Sequence, residues 1–336
     1  MSRLALFFIL IIAVGALFFA DYKLGNSNPK YFYLCLEGSA EELQHAMDVG
    51  NWDANEIFTV KLKSGDYKYP VLLDYYVGRE PGKSEKFTPL YLASGNNDPN
   101  VLKLLLKRGA RLTQNVLDSA LERRMTNNVR VLIDEMKNKK MRIQYSFPQY
   151  WHPNAPVTFF VTKKIEGEIQ KILQDLIDLG AFSHETDEMV VDAARRVTDV
   201  NFYLILEQNG IDIQKKATRF LEQAAVAGRL ETTKLFLERG GNPNARPSSV
   251  PLLIKAATGN GGADVLAALL RAGADPNVRD MGGMTTLMHL DKQIAQMQAE
   301  LTELRAKAKS DTTWRQGRIE EFEHRRAVLV EAGATL

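Results

Sequence analysis

Residues 269–290 read LLRAGADPNVRDMGGMTTLMHL. A Leu-rich stretch with helical spacing stops at Gly273, passes through Asp275-Pro276-Asn277, and gives way to a second apolar run that Thr285 introduces. Each punctuation mark has a physical reason. A glycine just past a helix accepts the left-handed conformation that closes the last turn, and an Asp/Pro/Asn cluster favours a tight turn. A threonine ahead of an apolar run can cap the free amides of the next helix.

The same syntax recurs along the chain. Glycines that follow apolar helical runs stand at Gly180, Gly210, Gly240 and Gly273, with spacings 210 − 180 = 30, 240 − 210 = 30 and 273 − 240 = 33. Gly50, Gly109 and Gly333 close similar runs at wider intervals. A second register marks the turn inside each pair: Gly38 precedes Gly50 by 12, Gly228 precedes Gly240 by 12, and Asn97, also tolerant of a left-handed backbone, precedes Gly109 by 12. These spacings predict second helices near 40–49, 99–108, 128–136, 168–179, 200–209, 231–239, 264–272 and 319–332, about eight units in all. The third of them, VLIDEMKNKK, lacks a closing glycine.

Thr88–Ala93 reads TPLYLA, Val250–Gly259 reads VPLLIKAATG and Thr285–Leu290 reads TTLMHL, with weaker copies in RFLEQAAVAG and MVVDAARR. In these residues the chain resembles the ankyrin repeat, a unit of about 33 residues built from a turn and two antiparallel helices, and a bacterial-type member with an N-terminal signal or anchor segment. The resemblance implies an all-α fold, a solenoid of stacked helix hairpins that binds another protein on its concave face. A single hairpin cannot bury its apolar side, so each must lean on its neighbours. Small residues at Ala93, Ala194, Ala225 and Ala256, with Cys35 in the first unit, are the expected points of close helix approach.

Three inserts interrupt the array expected over 26–336, at 58–87, 141–158 and 291–318. In the first, Phe58, Val60 and Leu62 alternate with polar residues, Ser64-Gly65-Asp66 signals a turn, and Tyr67, Tyr69 and Val71 alternate again, a β-hairpin pattern. The second carries Tyr145, Phe147, Tyr150 and Trp151 among three prolines and reads as an aromatic loop. In the third, Ile294, Met297, Leu301, Leu304 and Ala308 recur at helical spacing and face Ile319, Phe322 and Val330 on a returning helix, with the turn near 310–313. That is a projecting helical hairpin, a cap or a docking arm.

Residues 1–25 form a signal anchor or signal peptide by composition. Arg3 precedes an uncharged run from Leu4 to Ala20 that includes Phe7, Ile11 and Leu17, about 26 Å of helix at about 1.5 Å per residue. A poor cleavage site at its end favours retention over removal. Basic residues on its two sides nearly balance, with a lean toward an exported, periplasmic or extracytoplasmic body.

The formal charge of +2, from 43 basic and 41 acidic side chains, offers no electrostatic footprint for nucleic acid. One cysteine excludes an internal disulfide. His45, His152, His184, His289 and His324 share no ligand spacing, and no nucleophile elbow, zinc-protease helix or phosphate-binding loop is present, so no enzyme activity, cofactor or metal is expected. The expected function is protein–protein interaction at the membrane, with an inhibitor of a toxic effector and a structural scaffold as rival readings. Candidate partner contacts are the turn tips and insert rings: Trp52, Tyr67, Tyr69, Tyr150, Trp151, Asn244, Arg246, Asp275, Asn277, Arg279 and Asp280.

Overall fold

The computed structural model describes residues 23–24, 29–61, 84–143, 155–182, 187–306 and 313–336. The apolar run 4–20, Tyr67, Tyr69, Tyr150 and Trp151 fall outside these residues. The chain separates into two compact units, Met1–Ile143 and Gln144–Leu336.

In the first unit, α1 (Pro29–Glu37) pairs with α2 (Ala40–Gly50), α3 (Pro89–Ala93) with α4 (Pro99–Lys107), and α5 (Gln114–Glu122) with α6 (Thr126–Asn138). First helices stack on first helices, α1 on α3 on α5, and second helices on second helices, α2 on α4 on α6. The second unit repeats the plan with α7 (Ala155–Phe160) and α8 (Gly167–Leu179), α9 (Asp187–Ala193) and α10 (Asn201–Gln208), and α11 (Ala217–Val226) and α12 (Leu230–Glu238). It continues through α13 (Leu252–Thr258) and α14 (Ala263–Arg271) to α15 (Thr286–Ala306) and α16 (Thr313–Glu331). The fold is a stack of paired helices with one small sheet, and the second helices lie within about two residues of their expected places except α16, which begins at Thr313 rather than near 319.

Apart from α15 and α16, the helices run from 5 to 13 residues, too short to persist alone in water, so packing carries them. Ala93, Ala194, Ala225, Ala256 and Cys35 are wholly buried where helices cross. In the second unit, edge-to-face and stacked rings run from Phe159 and Phe160 through Phe202 and Tyr203 to Phe220 and Phe236. Burial pushes the Tyr203 phenol well above its usual range.

Left-handed residues close the second helices at Gly109, Gly180, Gly210, Gly240, Gly273 and Gly333, as the spacing predicts. After each, the next amide reaches back to a carbonyl five residues earlier, from Ala110 to Leu105 (2.9 Å) through Ala334 to Leu329 (3.0 Å). That bond satisfies one orphan carbonyl of the helix end. Two closures fall elsewhere than expected. Asn51, not Gly50, is left-handed after α2, and Lys140 takes the position after α6 at φ 52, with Met141 bonding Met136 at 2.9 Å. Inside the pairs, Gly228 is left-handed and Gly38 and Asn97 are not; at Gly38 a side chain would come within 2.7 Å of Leu34, so close packing rather than handedness calls for glycine there.

The inserts depart from expectation in three ways. Strand β2 (Phe58–Lys61) pairs antiparallel with β3 (Ser84–Phe87), in register Phe58 with Phe87, and with β1 (Lys23–Leu24) on its other edge. Both edges of Val60 and Lys61 are thereby taken; the Tyr67–Val71 segment of the expected hairpin lies outside the described residues. The aromatic loop ends early, because Pro156 sits in the first turn of α7, where a missing amide costs nothing. On the projecting hairpin, Leu301, Ile319 and Phe322 are buried as expected, whereas Val330 is 47% exposed and Leu329 takes the inward position.

Glycine's two roles separate by mutation. Gly240→Ala adds a methyl that meets open space, so its cost is the left-handed backbone alone, about 1–2 kcal/mol. Gly228→Ala places its methyl 2.2 Å from the Asn260 carbonyl oxygen and should cost more. Urea midpoints followed by circular dichroism should rank them in that order; equal midpoints would contradict the close approach of the two turns.

Candidate functional site

Two series of side-chain bonds tie successive pairs together, and the candidate residues must be placed against them. The first lies at the turn tips. Asn55 donates its amide to the Gly109 carbonyl (3.0 Å) and accepts from the Arg111 amide (2.8 Å). Asn244 does the same to Gly273 (2.8 Å) and Asp275 (2.8 Å), and Asn277 to Gly333 (3.2 Å) and Thr335 (2.7 Å). Each of these asparagines stands four residues past a left-handed closure, at 55 − 51, 244 − 240 and 277 − 273. Its own amide bonds the side chain two residues back: Asp53, Asn242 or Asp275. Asn244, Asp275 and Asn277 thus hold neighbouring units together as well as standing at the surface.

The second series caps the carbonyls at the ends of first helices. Asn96 donates to Cys35 (3.2 Å) and Gly38 (2.9 Å), Asn128 to Ser94 (3.0 Å) and Asn96 (2.7 Å), and Arg229 to Arg195 (3.0 Å). Arg325 donates to Ala257 (2.7 Å) and Gly259 (3.0 Å) while Glu321 neutralises it at 3.1 Å. Its side chain is 2% exposed, and burial pulls the guanidinium below its usual range against the support of Glu321. Asp98 works in the same region, capping α4 through Asn100 and accepting from Ala40, both at 3.0 Å. Burial alone would raise its carboxyl; those amides overcome it and hold it below the ordinary range.

Among the remaining candidates, Trp52 is half-buried and stacks on Tyr31 at 4.7 Å, while the Tyr31 hydroxyl donates to the Asp53 carbonyl at 2.8 Å. Arg246 and Arg279 come together at adjacent turn tips. Arg246 donates to the Arg279 carbonyl (3.2 Å), and Arg279 donates to Gly283 (2.6 Å) across the small finger 279–285. Beside them Met281 is 88% exposed, and Ser248 and Ser249 hold left-handed backbones at φ 53 and 69. Asp280 points inward. Its carboxylate accepts from Gly282 (2.8 Å) and Met284 (3.0 Å) and meets His289 at 2.7 Å. The His289 bond first, and then the Met284 and Gly282 amides, hold it below the usual carboxylate range.

Among the described residues no cluster of three His, Cys, Asp or Glu could hold a metal ion, and no helix is long and apolar enough to cross a membrane.

The family model described as Ankyrin repeat matches residues 85–116, the span of β3, α3, α4 and the start of α5. No curated protein matches the sequence. Among solved structures, the chain is similar to the ankyrin repeat domain of Bcl-3, a member of the IkappaB protein family, at 20% identity, covering 79% of this chain and 94% of that one with a TM-score of 0.30. Residues 85–116 thus match one ankyrin repeat, within a chain whose described helices stack as successive pairs.

Two substitutions test the geometry at the tips. Asn277→Ala removes three bonds to the last turn and should destabilise by about 1–2 kcal/mol. Asp280→Asn acts through charge. A carboxyl held low when folded stabilises above its unfolded pKa, and that stability disappears as pH falls through the folded value. Wild type should lose thermal stability below about pH 4 more steeply than the Asn variant; parallel midpoint–pH curves would show that the Asp280–His289 contact is idle.

Proposed function

We propose that the chain is a protein-binding adaptor held at a membrane, with its partner gripped at the turn tips of the second unit. Arg246 and Arg279 are the observation that carries this. Both side chains are exposed, Arg246 fixed on a backbone carbonyl of the adjacent tip and Arg279 on one of its own finger, and neither has a carboxylate partner among the described residues. Fixing an arginine in advance lowers the rotamer entropy lost on binding, and arginine is enriched among the residues that dominate interface energetics. Exposed Met281 supplies apolar contact beside them. Asn244, Asp275 and Asn277 present backbone and remaining polar atoms on the same side chains that lock the units, so they shape the surface. Asp280 fixes the finger.

The tether in this reading is Leu4–Ala20, with the body periplasmic or otherwise outside the cytoplasm; its support is the uncharged 17-residue run itself. Cell fractionation should find the full-length chain with the membranes, and a wholly soluble chain would remove the tether. For the tips, the double variant Arg246→Ala/Arg279→Ala should weaken crosslinking-verified partner binding by roughly tenfold or more. Its thermal midpoint should stay within about 2 °C of wild type, as surface changes do. Unchanged affinity would move the partner elsewhere.

A further inference from the structure

The uncharged run ends at Ala20 and strand β1 begins at Lys23, three residues later. A strand of two residues holds only as part of a larger sheet, and this one is bound into the folded body. It pairs with β2 through Lys23 with Lys61 and Leu24 with Val60, and β2 pairs in turn with β3. Aromatic contacts fasten that sheet to the helices. Phe58 meets Tyr31 and Phe32 of α1 edge to face at 5.3 and 5.4 Å, and Phe87 lies 5.6 Å from Tyr91 of α3. Both phenylalanines are buried. Without β1, the first fixed residue after the run would be Pro29, where α1 starts. The strand therefore shortens the free connection from nine residues, 29 − 20, to three, 23 − 20.

We propose that β1 is a clamp that holds the first unit against the surface of the bilayer in which Leu4–Ala20 is seated, an inference that rests on the tether proposed above. Chain length, rather than charge, names the lipid surface as the neighbour. A polypeptide advances at most about 3.6 Å per residue, so three residues reach no further than about 11 Å in any conformation. The headgroup layer outside the hydrocarbon is itself about 5–7 Å thick, and β2 lies about 5 Å from β1. The sheet end of the first unit thus sits at or just outside the headgroups. Nine residues would reach about 32 Å, enough to admit a small domain of about 30 Å between body and bilayer. The clamp closes that gap, and a protein partner approaches the first unit from a side other than the one its sheet turns to the lipid.

The test uses the full-length chain with Lys86→Cys, an exposed position on β3, carrying a thiol-reactive fluorophore; Cys35 is wholly buried and takes none. The chain is reconstituted into phosphatidylcholine vesicles that carry a nitroxide quencher either on the headgroup or at the end of the acyl chain. Flotation reads the tether, and quenching reads the clamp. The expected result is loss of most of the emission with the headgroup quencher and less loss with the acyl-chain quencher. Two variants release the clamp. Lys23→Pro/Leu24→Pro removes both amides of β1. A Gly/Ser linker of about twelve residues, about 20 Å on average, inserted between Ala20 and Asp21 leaves every folded residue in place. Both should still float, keep the circular dichroism melt of the parent and recover the emission. Should the proline variant melt lower, the linker variant alone decides. A floating parent chain that is not quenched from the headgroup, is quenched more from the acyl chain, or stays equally quenched with the linker overturns the clamp and leaves the tether standing. A parent chain that fails to float removes tether and clamp together.

Discussion

A carbonyl oxygen at the end of a short helix needs a donor, and in this protein the donor often belongs to a neighbouring repeat. Helices of two or three turns leave a large share of their peptide groups without an internal partner. The left-handed closure uses one donor of the chain itself; the remaining oxygens at Gly109, Gly273 and Gly333 are met by Asn55, Asn244 and Asn277 of the preceding units. At the opposite end of the hairpins, Cys35, Ser94, Arg195 and Ala257 are met by Asn96, Asn128, Arg229 and Arg325 of the following ones. Apolar burial supplies most of the driving force but little direction. These bonds supply register, since each works only when neighbouring units sit at one height.

Glycine and asparagine are therefore conspicuous for different reasons. At Gly240 and Gly273 the requirement is backbone handedness with free space around it, and at Gly228 the Asn260 carbonyl also excludes a side chain. Asparagine offers a donor and an acceptor on one planar group, so Asn244 can bond a carbonyl and an amide of the adjacent turn at once. The surface available for function grows out of the same arrangement. The loops that hold Asn244 and Asn277 lead directly into the tips bearing Arg246 and Arg279, and rigid loops on a stacked scaffold are a favourable place for binding residues.

Much of this was legible in the chain. The glycine spacing located the second helices, and Thr88 and Thr285 do cap the helices that follow, bonding the Tyr91 and Met288 amides at 3.2 Å. What escaped has a common cause: a residue type standing where pattern reading expects another. Lys140 adopts the left-handed backbone usually given to glycine, held there by the Met141–Met136 bond. Arg325 sits on the inward stripe of α16 with Ile319, Phe322 and Leu329, and a charged residue at a core position reads as solvent-facing until its carbonyl partners 66 and 68 residues away are seen. Strand β2 alternates as expected, but alternation does not name a partner, and its pairing with 23–24 and 84–87 could not be read from the pattern. Among the site residues, composition selected the turn tips, yet it could not separate Asn277, bonded to the last turn, from Arg279, bonded within its own finger.

Amide hydrogen exchange on the full-length chain examines the coupling most directly. Arg111, Asp275 and Thr335 lie in exposed surface turns, and their amides donate to Asn55, Asn244 and Asn277 of the neighbouring unit. If inter-repeat bonding governs the architecture, these three amides exchange as slowly as those of the helices they join, and Asp275 alone speeds up when Asn244 is replaced by alanine. Exchange at the rate of an unstructured peptide in the unmodified chain would mean that the repeats are stacked by apolar contact only.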